Sequence, residues 1–292
     1  MIKGSPASYA EYVNAHRSNG AGALCFDEDL PHLQVPAVTY GSRTDSLTQA
    51  QHLFDALRQL DEMGIHTVYA ACPDPSGVGL AVYNRLLRAA AFRIECAITV
   101  IGLTGPTGSG KTTVADAWRE HGAYIIDTDK LARQVTEAGS PCLSKLVDVF
   151  TSAILNSDGT LNRPELAKRA FATADSAQQL NAITHPAIVE LTRQEIEHAA
   201  EQGYAVAVVD APLLYEAKAD ALCDAIVAVI APADIRMQRI MARDHLTAEQ
   251  AAQRMAAQPS DAFYCRDGVT ILDGSGDAMV LQQEAITYLE QI

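Results

Sequence analysis

Gly105-Pro106-Thr107-Gly108-Ser109-Gly110-Lys111-Thr112 fits the pattern Gly-x-x-x-x-Gly-Lys-[Ser/Thr] and follows directly on the apolar run Ala97 to Leu103. A buried strand, a glycine-rich turn and a helix start are the three parts of a phosphate-binding loop. The glycines let successive backbone N–H groups face inward around an anion, and the helix that follows offers its positive end. In that arrangement Lys111 reaches the outer phosphates, Thr112 holds Mg2+, and Thr113 joins residues 105–112 in binding the nucleotide. An ordinary glycine-rich turn is the alternative, and the strand and helix signals on either side disfavour it. The loop marks the chain as a user of a nucleoside triphosphate, with ATP and Mg2+ as the expected pair.

With 292 residues and 48% hydrophobic content, the chain has room for two domains, each with its own core. No apolar run approaches the ~18 residues of a membrane span. Met1-Ile2-Lys3-Gly4-Ser5 leads into no signal-peptide core, so the expected address is the cytoplasm. The six cysteines, Cys25, Cys72, Cys96, Cys142, Cys223 and Cys265, are scattered with no C-x-x-C pair. That spacing argues against a zinc site or a disulfide framework and for reduced packing residues. A net charge of −14 opposes binding to nucleic acid or anionic lipid, so positive charge for a nucleotide must be concentrated locally.

Two differently built halves meet near Ala90 to Ala97. In the first, residues 1–95, Gln49 to Met63 sets Ala50, Leu53, Phe54, Leu57 and Leu60 at helical spacing, and Gly64 stops the helix before a strand from Ile65 to Ala70. Ala21 to Phe26 reads as another strand and Gly79 to Ala91 as a second helix, giving a small α/β unit. In the second, residues 96–292, strands at Ala123–Ile126, Tyr204–Val209, Ala225–Ile230 and Val269–Leu272 alternate with helices at Thr112–His121, Pro186–Gln202 and Asp277–Glu290. Alternation of this kind predicts a parallel sheet covered on both faces. Thr247-Ala248-Glu249-Gln250 resembles a capping box opening a helix to about Ala257.

Asp127 and Asp129 stand at the carboxyl end of the second strand of this half, where open α/β sheets bind ligands. A carboxylate there suits acceptance of a proton from an attacking hydroxyl or ordering of a metal; Asp is equally a favoured helix N-cap, and the two readings stay level. Arg133 lies one helical turn beyond Asp129. Asp210 ends the apolar strand Ala205 to Val209, a position that orders Mg2+ or its water, with capping of the next loop as the alternative. Arg236, Arg239 and Arg243 share one helix face after Ala231-Pro232. Like charges so arranged suit either a solvated face or, beside a phosphate loop, a lid that closes over ATP; the lid is the preferred reading.

Taken together, these residues resemble the dephospho-coenzyme A kinase family from about Ile98 to the C-terminus. The resemblance rests on the phosphate loop, Ile126-Asp127-Thr128-Asp129 with Ala132-Arg133-Gln134-Val135, and Asp158-Gly159-Thr160-Leu161-Asn162-Arg163. It continues through Asn181-Ala182-Ile183-Thr184-His185-Pro186, Pro212-Leu213-Leu214-Tyr215-Glu216, and Arg239 to Asp244 followed by Arg254-Met255-Ala256-Ala257-Gln258. It implies a P-loop kinase fold that transfers phosphate from ATP to the ribose 3'-hydroxyl of dephospho-coenzyme A. Asp129 is then the general base, with Lys111 and Arg243 beside it in catalysis and Arg239 on the nucleotide. A helical insert over about 130–202 receives the acceptor near Asp127, Arg133, His185, Pro212 and Leu213, and 236–258 forms the lid. One stretch departs from the family: Pro259 to Arg266 replaces its usual basic and Ala-Asp-rich segment, and Asp273-Gly274 stands where Asn-Gly is common. A carboxylate cannot donate as an amide does, which puts adenine selectivity at that edge in question.

Ser76-Gly77-Val78-Gly79 through Ala90, with Leu53-Phe54-Asp55-Ala56-Leu57-Arg58 and Leu60-Asp61, resembles the C-terminal accessory domain of threonylcarbamoyl-AMP synthases over residues 1–95. There is no room for that family's catalytic domain, so the expected role is a non-catalytic docking or regulatory module, with a synthase catalytic domain as a candidate protein partner. Gly77 and Gly79 suit an anion cradle or, better, a tight strand-to-helix turn. Two rivals to the kinase remain. The loop also resembles that of tRNA dimethylallyltransferase, which the acidic balance disfavours, and a kinase fold can serve as a nucleotide sensor, which Lys111, Asp129 and Arg243 disfavour.

Overall fold

A computed structural model describes residues 1–4, 6–91 and 93–291, and these divide into two compact units. The first is Met1–Ile98 with Ile196–Ala205; the second is Thr99–Glu195 with Val206–Ile292. Residues 196–205, assigned by the sequence to the second domain, thus group with the first unit.

The first unit runs β1 (Ile2–Lys3), α1 (Pro6–Ala15), β2 (Ala21–Cys25), β3 (Ala37–Thr39), α2 (Ser46–Glu62), β4 (Thr67–Ala70), α3 (Gly79–Ala89) and β5 (Glu95–Cys96). Its three-stranded sheet has the order β3-β2-β4, all parallel, and β1 pairs with β5. Asp45 starts α2 by accepting hydrogen bonds from the N–H groups of Leu47 and Thr48, both at 3.1 Å. The buried face of α2 is Gln49, Leu53, Ala56 and Leu60. Phe54, expected on that face, is 58% exposed, with the Arg85 guanidinium 4.3 Å above its ring. It sits one residue round from Leu53, about 100° off the buried stripe.

The second unit runs β6 (Thr99–Thr104), α4 (Lys111–Glu120), β7 (Tyr124–Asp127), α5 (Thr128–Gln134), α6 (Pro141–Phe150), α7 (Arg163–Ala170), α8 (Ala174–Glu201), β8 (Val206–Asp210), β9 (Ala225–Ile230), α9 (Ala233–Asp244), α10 (Ala248–Ala256), α11 (Asp261–Tyr264), β10 (Val269–Asp273) and α12 (Ala278–Leu289). The division falls within α8: residues 174–195 belong to the second unit and 196–201 to the first. The second unit's five strands are all parallel in the order β10-β9-β6-β8-β7, so the strand feeding the phosphate loop is central. β6 carries Val100, Ile101 and Leu103 into the core, as a strand covered on both faces requires. Trp118 of α4 is fully buried and its indole N–H donates to the Ala285 carbonyl of α12 at 2.6 Å, which closes one face of the sheet. The capping box at Thr247 is formed in full with Gln250.

One helix differs in extent from its sequence reading. Pro186 was expected at a helix start, but α8 runs through it from Ala174 to Glu201. Proline removes one backbone donor from a helix interior. Here Leu180, Ile183 and Ala187 pack on the cluster of Cys142, Leu146, Phe150, Ile154, Leu166 and Ala170, and that burial holds the segments before and after Pro186 in one helix. Among the described residues, no helix is long and apolar enough to cross a membrane.

Candidate active site

Sheet register builds the site. Because β6, β7 and β8 run parallel, Leu103 and Asp127 both align with Asp210. The carboxyl ends of the three strands therefore bring Asp127 and Asp210 to the edge from which the loop at Gly105 departs. Gly105 has φ +133°, and a Cβ there would lie 2.3 Å from the Val229 carbonyl oxygen. Gly108 has φ +77°, and a Cβ there would lie 2.9 Å from the Arg236 carbonyl oxygen. A side chain at either position meets backbone, which explains why the loop needs glycine there. Pro106 is buried and its carbonyl accepts from the Ser109 N–H at 3.3 Å, closing the turn.

The loop enters α4 at Lys111, and the first-turn N–H groups of a helix have no intrahelical partner. Residues 107–113 line a cavity of about 580 Å³ with Arg239, Ala242 and Arg243 of α9 and with Gly276, Ala278 and Leu281. Lys111 Nζ donates to the Gly105 carbonyl at 2.8 Å. Burial pushes the Lys111 ammonium below the ordinary lysine range, the carboxylates of Asp210 and Asp129 pull it back up, and Arg243 pushes it down. Asp210 is pushed up to about 6, first by burial; the Lys111 charge opposes this, while Asp127 and Asp129 add to it. The five groups thus form one electrostatic unit, the arrangement expected where charge is to be bound or moved.

Each remaining predicted residue has a definite place. Asp127 caps α5, accepting from the Lys130 N–H at 3.1 Å, so the structural reading of this carboxylate is realised. Asp129 is exposed in the first turn of α5, and Arg133 is exposed one turn on. His185 is half-buried within α8, Pro212 is half-buried, and Leu213 is 52% exposed. None of Asp127, Asp129, Arg133, His185, Asp210, Pro212 or Leu213 lines the cavity.

The arginine face divides. Arg239 Nη1 donates to the carbonyls of Gly108 and Ser109, each at 3.3 Å, and of Gly274 at 2.7 Å, wedging the loop against the β10–α12 turn. Arg243 is exposed and forms a two-point pair with Asp244, which also receives Arg254 at 2.6 Å. Arg236 is not a lid arginine facing the cavity: it is 7% exposed and pairs with Asp261 at 3.2 Å. The sequence reading treated the three alike because their spacing is alike; Asp261, 25 residues on, decides the difference. Ala242, Gly276, Ala278 and Leu281 complete the wall, and as isolated glycine and apolar residues they carry no local signal of it in the sequence.

Asp210 Oδ1 is buried without a hydrogen-bond partner, and Thr112 lines the cavity. A carboxylate and a hydroxyl are hard oxygen donors, the kind Mg2+ prefers, so these residues fit the metal. Asp273 is exposed and its carboxylate accepts from the Ser275 N–H at 2.8 Å, a turn contact that an acceptor alone can make.

Residues 99–278 match the family model of dephospho-CoA kinase, and residues 3–91 match that of the C-terminal domain of threonylcarbamoyl-AMP synthase. The dephospho-CoA kinase of Moorella thermoacetica is 42% identical over 179 residues, 61% of this chain and 84% of that protein. That of Corynebacterium efficiens is 40% identical over 192 residues, 66% of this chain and 96% of its own. Among solved structures, TT1252 from Thermus thermophilus is similar with a TM-score of 0.58 at 28% identity, over 67% of this chain and 98% of that one.

Proposed function

The chain belongs to the dephospho-CoA kinase family, and from that premise we propose how its residues divide the work of moving a phosphoryl group from ATP to dephospho-CoA. The reaction is the last step of coenzyme A biosynthesis. The observation that carries the assignment of ATP to this cavity is its mixed wall: the cationic Lys111, Arg239 and Arg243 together with the apolar Ala242, Ala278 and Leu281. A nucleoside triphosphate presents the matching combination, a polyanion joined to a flat base.

In this reading the backbone of residues 107–113 and Lys111 hold the phosphates, Arg239 keeps the loop in shape, and Arg243 meets charge that develops on the transferring group. Asp129 accepts the proton of the ribose 3'-hydroxyl as its oxygen attacks the terminal phosphorus, and ADP leaves with the electrons of the broken P–O bond. Asp127, Arg133, His185, Pro212 and Leu213 receive the acceptor within and beside the insert at about 130–202, and 236–258 acts as the lid. Thr112 and Asp210 hold Mg2+, which supplies positive charge to the phosphates when bound. A cytoplasmic address belongs to the same proposal, from the scattered spacing of the six cysteines; the Cys96 side chain lies outside the described residues.

ADP release with Mg-ATP, in the presence and absence of dephospho-CoA, tests the assignment. Acceptor-dependent turnover lost in both Asp129→Asn and Lys111→Ala is the expected result. Full turnover in Asp129→Asn removes that residue as the base, and ATP binding without acceptor-dependent ADP release removes the kinase reading. The first unit is proposed as a docking or regulatory module, with a synthase catalytic domain as its candidate partner. A variant lacking residues 1–95 should keep turnover if its kinase fold survives by circular dichroism; a large loss with the fold retained makes the module integral to catalysis.

A further inference from the structure

Residues 259–266 follow the proposed lid, and none of them lines the cavity described so far. The segment touches that site at three points. At its head, the Gln258 side-chain oxygen accepts from the Thr107 N–H of the phosphate loop at 2.9 Å. At α11, Asp261 accepts from Arg236 Nη2 at 3.2 Å, the one hydrogen bond of that guanidinium among the described residues. At its tail, the Arg266 guanidinium lies 3.7 Å from the ring centroid of Tyr215 and 4.4 Å from that of Phe263. Phe263 stands edge-on to Tyr215 and to Tyr264, and Tyr264 is fully buried. An aromatic and cation–π cluster of this kind fixes a short helix that has few backbone hydrogen bonds of its own.

What Asp261 holds is the first turn of α9. The Arg236 carbonyl oxygen and Cα lie against Gly108, within 2.9 and 3.2 Å of where a Cβ would stand. One turn on, Arg239 grips the carbonyls of Gly108 and Ser109. A tilt of α9 therefore moves both the floor of the phosphate loop and the side chain that braces it.

We propose that Asp261 is a positioning residue for nucleotide binding: anchored between Gln258 and the Arg266–Tyr215 cluster, it holds Arg236 and thereby sets α9 against the phosphate loop. The inference rests on the reading of 105–112 as the loop that binds ATP. It makes Arg236 part of the nucleotide site without any contact to nucleotide, and it gives residues 259–266 a positioning role.

The test compares wild type, Asp261→Ala and Asp261→Glu by calorimetric ATP binding without acceptor, by KM for each substrate, and by thermal melting. In Asp261→Ala the Kd and KM for ATP should rise about tenfold, since a buried guanidinium loses its charged partner, while the KM for dephospho-CoA stays within about twofold. Asp261→Glu, which keeps the charge, should recover most of the ATP affinity. A lowered melting temperature with unchanged ATP affinity, or an equal rise in both KM values, overturns the proposal in favour of a purely structural ion pair. Should Asp261→Ala fail to fold, Arg266→Gln releases the segment from its other end. A rise of about threefold in the ATP Kd is then expected, and an unchanged Kd overturns the proposal. Failure of the kinase reading shows separately, as wild type that binds ATP without acceptor-dependent ADP release, and the ATP affinities still decide the role of Asp261.

Discussion

Gly274 is the position at which one added methyl group should do most damage to this enzyme. A Cβ built there would lie 1.9 Å from the Ser109 carbonyl oxygen, whereas real Cβ atoms stay at least 3.0 Å from a neighbour, so the two segments must separate by about 1.1 Å. Gly274 has little freedom to move away: its N–H donates to the Ile230 carbonyl at 2.8 Å and its carbonyl accepts from Arg239 at 2.7 Å. The phosphate loop gives instead, at Ser109, two residues before Lys111. A misplacement of ~1 Å in a catalytic framework costs ~100-fold in rate. That is ~2.7 kcal/mol of transition-state stabilisation. Gly274→Ala is accordingly expected to lose about two orders of magnitude in kcat/KM for ATP, measured by coupled ADP release, with ATP binding weakened in calorimetry. Asp273→Asn is the companion variant: the exposed side chain there serves the Ser275 N–H, which an amide oxygen also accepts, so KM for ATP should stay within about twofold. A Gly274→Ala enzyme with wild-type KM and kcat refutes the argument from close approach.

Arg239→Lys should raise KM for ATP about tenfold with a smaller effect on kcat, because the shorter lysine side chain ends short of the place where Arg239 Nη1 meets three carbonyls; equal steady-state constants for the two proteins count against the wedge. Asp210 has its pKa raised by burial from 3.8 to about 6. The folded state therefore binds more protons than the unfolded one between those values, and the associated stability is full below 3.8 and lost as pH rises through 6. Nucleotide-free Asp210→Asn should melt above wild type at pH 7.5, with the gap closing as pH falls toward 4; a gap that does not change with pH refutes the raised pKa. Trp118→Phe removes the buried indole donor to the Ala285 carbonyl, which keeps its place in the α12 ladder, a loss of about 1 kcal/mol. Melting followed by circular dichroism should show a fall of several degrees, and an unchanged midpoint removes the hydrogen bond from the account.

Much of this molecule is written locally. Gly105 to Thr112 carries its glycines, its lysine and the helix start within eight consecutive residues, so the phosphate-loop pattern is readable locally. The apolar strands of the second unit and the capping box at Thr247 are readable for the same reason, since periodicity and capping act over a few residues. What was not readable depends on residues far apart in the chain. Asp261 turns Arg236 from an apparent lid arginine into a buried brace, Gly274 faces Ser109, and a packed cluster carries α8 through Pro186 where the local signal says a helix begins. Each of these is set by a close approach between segments that only the assembled sheet brings together, and local periodicity carries no record of such approaches. Chain order alone likewise does not place β6 between β8 and β9; it is that order which sets the phosphate loop beside Asp210 on one side and the Val229 backbone on the other.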